Sequence, residues 1–271
     1  MKNIIWNTNI KILNKIIKML KSAVDVGRSN MREELECIRM ILKKGSPSVF
    51  ISCDGHRIHQ YKCYVDVSKD LDTAIKLEDL LHLQKEMKGK TDISIEFDDA
   101  HATACADGRV ITMKMFHPSV DLLEKIPTYT NENLFLKVKD LLEIGGNSRS
   151  HIGKAVHILA KVINQNYEIL WEIGPNEHSY KTVGRSKGKV TTESVLDKEL
   201  GCYDTKEWTQ ICINYKYFMD ALKTLPKNEY VRLCIGYRMD TPVSIISADL
   251  DYSFTIMPII TNHRILSEDV A

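Results

Sequence analysis

The run Ser52-Cys53-Asp54-Gly55-His56 gathers the side chains best able to do chemistry: a hydroxyl, a thiol, a carboxylate and an imidazole. Asp54 and His56 would serve as a general base or as a pair of metal ligands, and Ser52, Cys53 or the upstream Ser29 as nucleophiles. Their setting argues against each role. A catalytic dyad of Asp54 and His56 needs further groups that the sequence does not identify, and no nucleophile elbow, phosphate loop or metal motif surrounds them. The seven cysteines, at 37, 53, 63, 105, 202, 212 and 234, include no CxxC pair, and no histidines cluster at zinc-ligand spacing. The residues therefore predict no catalytic group, no metal site and no cofactor. The chain is expected to be a reduced cytoplasmic protein that is not an enzyme.

A second kind of chemistry is carried by lysines. Lys11, Lys15 and Lys18 recur at i, i+4 and i+7, opposite an apolar face made by Ile12, Leu13, Ile16, Ile17, Leu20 and Ala23. Lys216 and Lys223, continued by Lys227 past Pro226, repeat the arrangement in the second half, diluted by Asp220. Such a stripe is either a solvated face or a surface for phosphates. The segment Lys181–Lys189 (KTVGRSKGK) is a basic hairpin or an ordinary flexible loop. Lys plus Arg number 37 against 36 Asp plus Glu, a net charge of +1, so bulk charge does not coat nucleic acid and any contact with it comes from local patterning.

The elements that must position these groups follow from periodicity. With 271 residues, 44% of them hydrophobic, the chain is long enough for two domains with their own cores. Residues 9–24 read as an amphipathic helix, followed by strands at 37–42, 48–53 and 57–66. A helix is expected at 77–88, then strands at 91–97, 101–106 and 109–116, with Asp107-Gly108 as a hairpin turn. Pro118 and Pro127 mark the crossing to the second half. There 133–144 reads as a helix, 155–163, 167–173 and 178–184 as strands, and 190–206 as polar and irregular. A strand at 209–214, a helix at 215–225 stopped by Pro226, and strands at 229–236, 242–247 and 252–259 complete it. Both halves follow a helix-strands-helix-strands plan, an internal repeat of about 130 residues. The apolar run Ile4-Ile5-Trp6 is too short for a signal segment, and no membrane span is expected.

Three segments, taken together, resemble the bacterial DNA polymerase III β clamp. Val49-Phe50-Ile51-Ser52-Cys53-Asp54-Gly55-His56-Arg57-Ile58 is similar to the strand and TDGHRL-type turn of that family's middle domain, with Cys53 and Ile58 in place of Thr and Leu. Ile213-Asn214-Tyr215-Lys216-Tyr217-Phe218-Met219-Asp220-Ala221-Leu222-Lys223-Thr224-Leu225 resembles a helix of its last domain. Thr241-Pro242-Val243-Ser244-Ile245, with Tyr252-Ser253-Phe254-Thr255-Ile256-Met257-Pro258-Ile259, resembles its final strands and terminal MPM motif.

The resemblance implies an α+β protein of two repeated clamp domains, each with two helices on antiparallel sheets, assembling into a ring. Residues 1–127 would match the middle domain and 128–260 the C-terminal domain, with 261–271 as a tail that folds over the adjacent cleft or stays disordered. The family's first domain has no counterpart. A ring of six such domains then implies a homotrimer, as in eukaryotic, archaeal and some phage clamps.

The implied function is a processivity factor that encircles duplex DNA without reading its sequence and tethers a DNA polymerase, a clamp loader and other clamp-binding proteins. The implied DNA-facing residues are Lys11, Lys15, Lys18, Lys85, Lys88, Lys137, Lys139, Lys216 and Lys223. The implied partner-peptide site takes Cys53, Gly55, His56, Arg57 and Ile58 from the first half, with Leu35 at its border, and Asn214, Tyr217, Pro242, Val243, Thr255, Ile256, Met257, Pro258 and Ile259 from the second. By alternation alone, Val243, Ile256 and Ile259 would be core residues of any β-rich protein. In the linker 120–127, a pocket arginine of the family is replaced by Glu124, so peptide preference is expected to differ. A different reading keeps the fold without the ring: an adaptor or decoy that binds clamp-interaction peptides.

Overall fold

The computed structural model describes residues 3–25, 33–118, 133–139, 141–142, 154–163, 166–175, 183–186, 209–234 and 241–258. The chain divides into two compact units, Met1–Ile126 with Asp249–Phe254, and Pro127–Ala248 with Thr255–Ala271.

In the first unit the order is β1 (Ile4–Thr8), α1 (Ile10–Leu20), β2 (Cys37–Leu42), β3 (Ser48–Cys53), β4 (Arg57–Cys63), β5 (Asp66–Val67), β6 (Leu71–Lys76), α2 (Leu77–Glu86), β7 (Ile93–Phe97), β8 (His101–Ala106) and β9 (Arg109–Phe116). The strands run β4-β3-β2-β6-β9-β8-β7-β1-β5, and the pairings along that order are antiparallel. Asn9 starts α1 by accepting hydrogen bonds from the Lys11 and Ile12 amides, both at 3.0 Å, which relieves two unpaired donors of the first turn. Leu13, Ile16, Ile17, Met19 and Leu20 then point inward. Trp6 and Phe50, 1% and 0% exposed, meet in the core with ring centroids 6.0 Å apart. Asp107 and Gly108 take φ of 46° and 75°, the left-handed pair a two-residue hairpin between β8 and β9 requires.

Two strands of this unit escape the sequence pattern. Ile4–Thr8 reads only as a short apolar run, yet it pairs with both β5 and β7. Leu71–Lys76 reads as mixed and polar, yet it pairs with β2 over its whole length. In both cases two flanking strands supply the pairing that local preference does not. The expected strand at 57–66 is two strands, broken at Tyr64 and Val65.

The end of α1 is fastened to β3 and β4 by side chains. Ser52 donates to the Leu20 carbonyl at 2.8 Å, Arg57 Nη2 donates to the Ser22 carbonyl, and His59 Nδ1 lies 3.3 Å from the Met19 carbonyl. These are carbonyls that a helix end leaves without an intrahelical partner. His59 is 0% exposed and its ring meets Phe254 edge-on, with centroids 4.5 Å apart. Nδ1 facing a carbonyl makes it the protonated nitrogen, and Nε2 has no partner. Burial first, then the Arg57 charge, push the His59 pKa down to about 3, against the weaker upward pull of the Met19 carbonyl.

The second unit contains β10 (Asn133–Lys137), β11 (Lys154–Ile163), β12 (Asn166–Pro175), β13 (Val183–Ser186), β14 (Thr209–Asn214), α3 (Tyr215–Lys223), β15 (Tyr230–Cys234), β16 (Val243–Ser247) and β17 (Tyr252–Ile256), whose first three residues group with the first unit. One sheet has the order β13-β12-β11-β14, and β10-β15-β16 run in sequence in another. The helix expected at 133–144 is not there as such. Asn133–Lys137 is a strand, paired residue for residue with Tyr230–Cys234, and only 138, 139, 141 and 142 are helical among the described residues. Leu134, Val138 and Leu141 mimic helical spacing, but strand pairing overrides it. The strand expected at 178–184 is observed at Val183–Ser186, paired with Ile169–Glu172. Residues 178–182, the segment 190–206 and the tail 261–271 lie outside the described residues.

Leu20→Ala, which empties a site that is 0% exposed, should cost about 2–5 kcal/mol in chemical denaturation, whereas Lys11→Ala on the exposed face of α1 should stay within about 0.5 kcal/mol. A His59 pKa below its unfolded value means the unfolded chain binds the extra proton. Stability is therefore full above about pH 6.5 and falls as pH drops toward 3, by on the order of 1 kcal/mol per pH unit. Denaturation midpoints measured between pH 7 and pH 4.5 should show this slope, and His59→Gln should flatten it.

Candidate functional site

The candidate turn is shaped by its own carboxylate. Strand β3 ends at Cys53, and Asp54 Oδ1 accepts from the backbone amides of His56 and Arg57, both at 3.0 Å. Gly55 adopts φ +87°, where a side chain would be strained. Asp54 Oδ2 accepts from Arg57 Nε at 2.8 Å, with both side chains largely buried. Gly55 N donates to Cys53 Sγ at 3.3 Å. This turn presents Gly55 and His56 to solvent while Arg57 is 6% exposed. Ile58 is half-buried and Cys53 is 9% exposed, with a thiol pKa raised chiefly by burial. Of the five first-half candidates, His56 and Gly55 are thus the accessible ones, and Arg57 is bound internally. Leu35 is half-buried, and its carbonyl accepts from the Asp25 amide at 2.9 Å.

The second-half candidates divide in the same way. Asn214 caps α3 by accepting from the Lys216 amide at 2.9 Å, so its side chain is a helix start. Tyr217, three residues on, is half-buried. Val243 and Ile256 are 0% exposed and serve the core, which is the reading that strand alternation alone gives. Thr255 is 2% exposed with its hydroxyl 2.7 Å from that of Ser244. Met257 is 47% exposed, Pro242 and Pro258 are half-buried, and Pro258 bridges to Ile213. Ile259 and Glu124 lie outside the described residues.

The lysines differ among themselves. Lys11, Lys15, Lys18, Lys85, Lys88, Lys139, Lys216 and Lys223 are all exposed. The helices α1 and α2 touch, with Gln84 donating to Asn14 at 2.7 Å. Lys137 is corrected from helix to strand: it ends β10, with its ammonium 5.1 Å from the Tyr230 ring centroid. Lys15 is also engaged, lying 5.1 Å from the Tyr61 ring centroid. Neither Tyr61 nor the Ser22 carbonyl stands out in the sequence. A tyrosine in a strand far along the chain from a lysine helix carries no local signal, and a backbone acceptor carries none at all.

For catalysis the arrangement offers little. The Ser52 hydroxyl is spent on Leu20, and Asp54 is committed to the turn and Arg57. Ser29 lies outside the described residues. Among the described residues no group of three or more His, Cys, Asp or Glu is placed to hold a metal ion, and no helix is long and apolar enough to cross a membrane.

No family model matches the sequence, and no curated protein matches it either. Solved structures do. The Helicobacter pylori beta clamp aligns with a TM-score of 0.76 at 16% identity, over 95% of this chain and 66% of that one. DNA polymerase III subunit beta from Borrelia burgdorferi aligns at 0.75 and 13% identity, over 95% and 64%. The beta chain from Streptococcus pneumoniae aligns at 0.72 and 18%, over 94% and 64%. The chain thus spans slightly less than two thirds of the length of these neighbours. Strand order, helix placement and these superpositions give the chain the α+β fold of the DNA sliding clamps, as built by bacterial DNA polymerase III beta subunits.

Proposed function

We propose that this chain is a DNA sliding clamp, a non-enzymatic processivity factor that encircles duplex DNA and tethers a polymerase, a clamp loader and other clamp-binding proteins. The observation that carries the proposal is the clamp fold over 95% of the chain, joined to a turn whose Asp54–Arg57 pair leaves Gly55 and His56 outward. The exposed lysines of α1 and α2, helices joined by the Gln84–Asn14 contact, support the DNA side. Exposed, long-armed cations contact phosphates without reading bases, a weak attraction compatible with sliding. Residues 1–127 act as one clamp domain and 128–260 as a second, and three copies close the ring in a bacterial or infected bacterial cytoplasm. Strand β9 offers an edge to a neighbour over much of its length, since among the described residues it pairs with β6 only at Met115 and Phe116.

Peptides with Leu or Phe anchors are the ligands for the candidate residues of both halves. The exposed Met257 suits them, since its flexible thioether adapts to varied partners. Because Arg57, Val243 and Ile256 are buried, His56, Tyr217 and Met257 carry direct contact.

Native mass measurement should return a trimer, and the assembly should stay on nicked circular DNA but run off linear DNA. A monomer that binds peptides and is not retained on circles would sink the ring and leave the adaptor or decoy reading. In titrations with a polymerase C-terminal peptide, His56→Ala or Tyr217→Ala should weaken binding about tenfold or more, while Ser68→Ala, on the unrelated β5 turn, should not.

A further inference from the structure

Within the lysine stripe of α1 the structure separates one member from the others. Lys15 lies with its ammonium 5.1 Å from the ring centroid of Tyr61, a residue of β4 that is 4% exposed. Among the described residues neither Lys11 nor Lys18 has a side-chain partner. The turn at Asp249–Asp251 belongs to the same unit, held there by the Lys62 amide donating to the Asp251 carbonyl.

We propose that Tyr61, with the turn carrying Asp251 beside it, holds Lys15 back from the DNA face, so that α1 presents Lys11 and Lys18 to phosphate and keeps Lys15 occupied within the protein. The proposal rests on the clamp reading and refines its DNA surface. Tyr61 is a positioning residue: it touches no DNA and acts by where it keeps the lysine.

Two residues act together on Lys15. Its pKa is raised chiefly by the Tyr61 side chain, burial opposes this, and the Asp251 carboxylate adds to the rise. The Asp251 pKa is itself raised, first by burial and then by Asp249, with Lys15 pulling the other way. A lysine must reach a phosphate to displace the cations condensed on DNA, and Lys15 is already drawn to an aromatic face and a nearby carboxylate. It can meet a phosphate only by giving those partners up. Counterion release on the DNA side therefore comes from Lys11 and Lys18, and the salt dependence of binding counts them. A clamp gains from such restraint, because each tight phosphate contact adds friction to sliding.

The test is the slope of log K against log salt for the full protein on a short blunt duplex. Lys11→Ala and Lys18→Ala should each reduce the slope by about 0.9 for every phosphate left without its lysine, in each subunit that touches DNA, while Lys15→Ala should change it by well under half as much. Asp251→Asn and Tyr61→Phe should steepen it, since each loosens Lys15, and adding Lys15→Ala to either should cancel the gain. Equal effects from Lys11→Ala and Lys15→Ala, or no steepening in both loosened variants, would overturn the proposal while leaving the DNA face intact. If none of the three lysine variants alters the slope, α1 is not the DNA face, and the clamp reading fails there together with the proposal.

Discussion

A buried guanidinium needs a partner, and much of the first unit is arranged around giving one to Arg57. At 6% exposure its charge has lost most of its water, and an unpaired charge there would cost several kcal/mol. Asp54 supplies the carboxylate three residues away, which is possible only if the chain reverses tightly between them. Gly55 makes that reversal at φ +87°, and the same carboxylate caps the two amides that follow. The other arm of the guanidinium reaches the Ser22 carbonyl just beyond α1. One ion pair thus sets the turn, the hairpin of β3 and β4, and the place where the lysine helix ends. His59 and Ser52 complete the attachment and leave the helix end with few bare carbonyls.

How far this is legible in the sequence depends on whether the signal is local. Asp107-Gly108 between alternating strands is a hairpin on sight, and α1 follows from Leu13, Ile16, Ile17 and Leu20 with Asn9 before them. Strands Ile4–Thr8 and Leu71–Lys76 are not legible, because their pairing partners lie far away in the chain. At 133–137 the local signal misleads, since Leu134, Val138 and Leu141 fall at helical spacing across a strand-to-helix junction. The candidate site divides along the same line. The Asp54-Gly55-His56-Arg57 motif marks the turn, but only the fold shows that Arg57 faces inward and His56 outward. Likewise, lysine spacing locates a basic face but does not reveal that Tyr61 occupies one member of it.

The clamp fold at 13–18% identity to its structural neighbours is less surprising in this light. The fold depends on alternation in the strands, an apolar stripe on each helix, and a few caps and turns. None of these requires a particular residue at most positions. Cys53 can stand at a β-strand end because burial keeps its thiol protonated, so it packs as a small apolar group.

The assignment of Asp249–Phe254 to the first unit bears on how the chain reaches its fold. Ser253 lies 3.5 Å from Gln60, and Phe254 closes over His59, so strand β4 is finished by residues from near the other terminus. During synthesis, at about 5–20 residues per second, β4 must wait on the order of ten seconds for that strand to leave the ribosome. Through this interval its edge is open and hydrogen-bonding, the condition in which strands pair with the wrong chain. Closure of this long loop, rather than formation of any of the three helices, then sets the tempo of maturation.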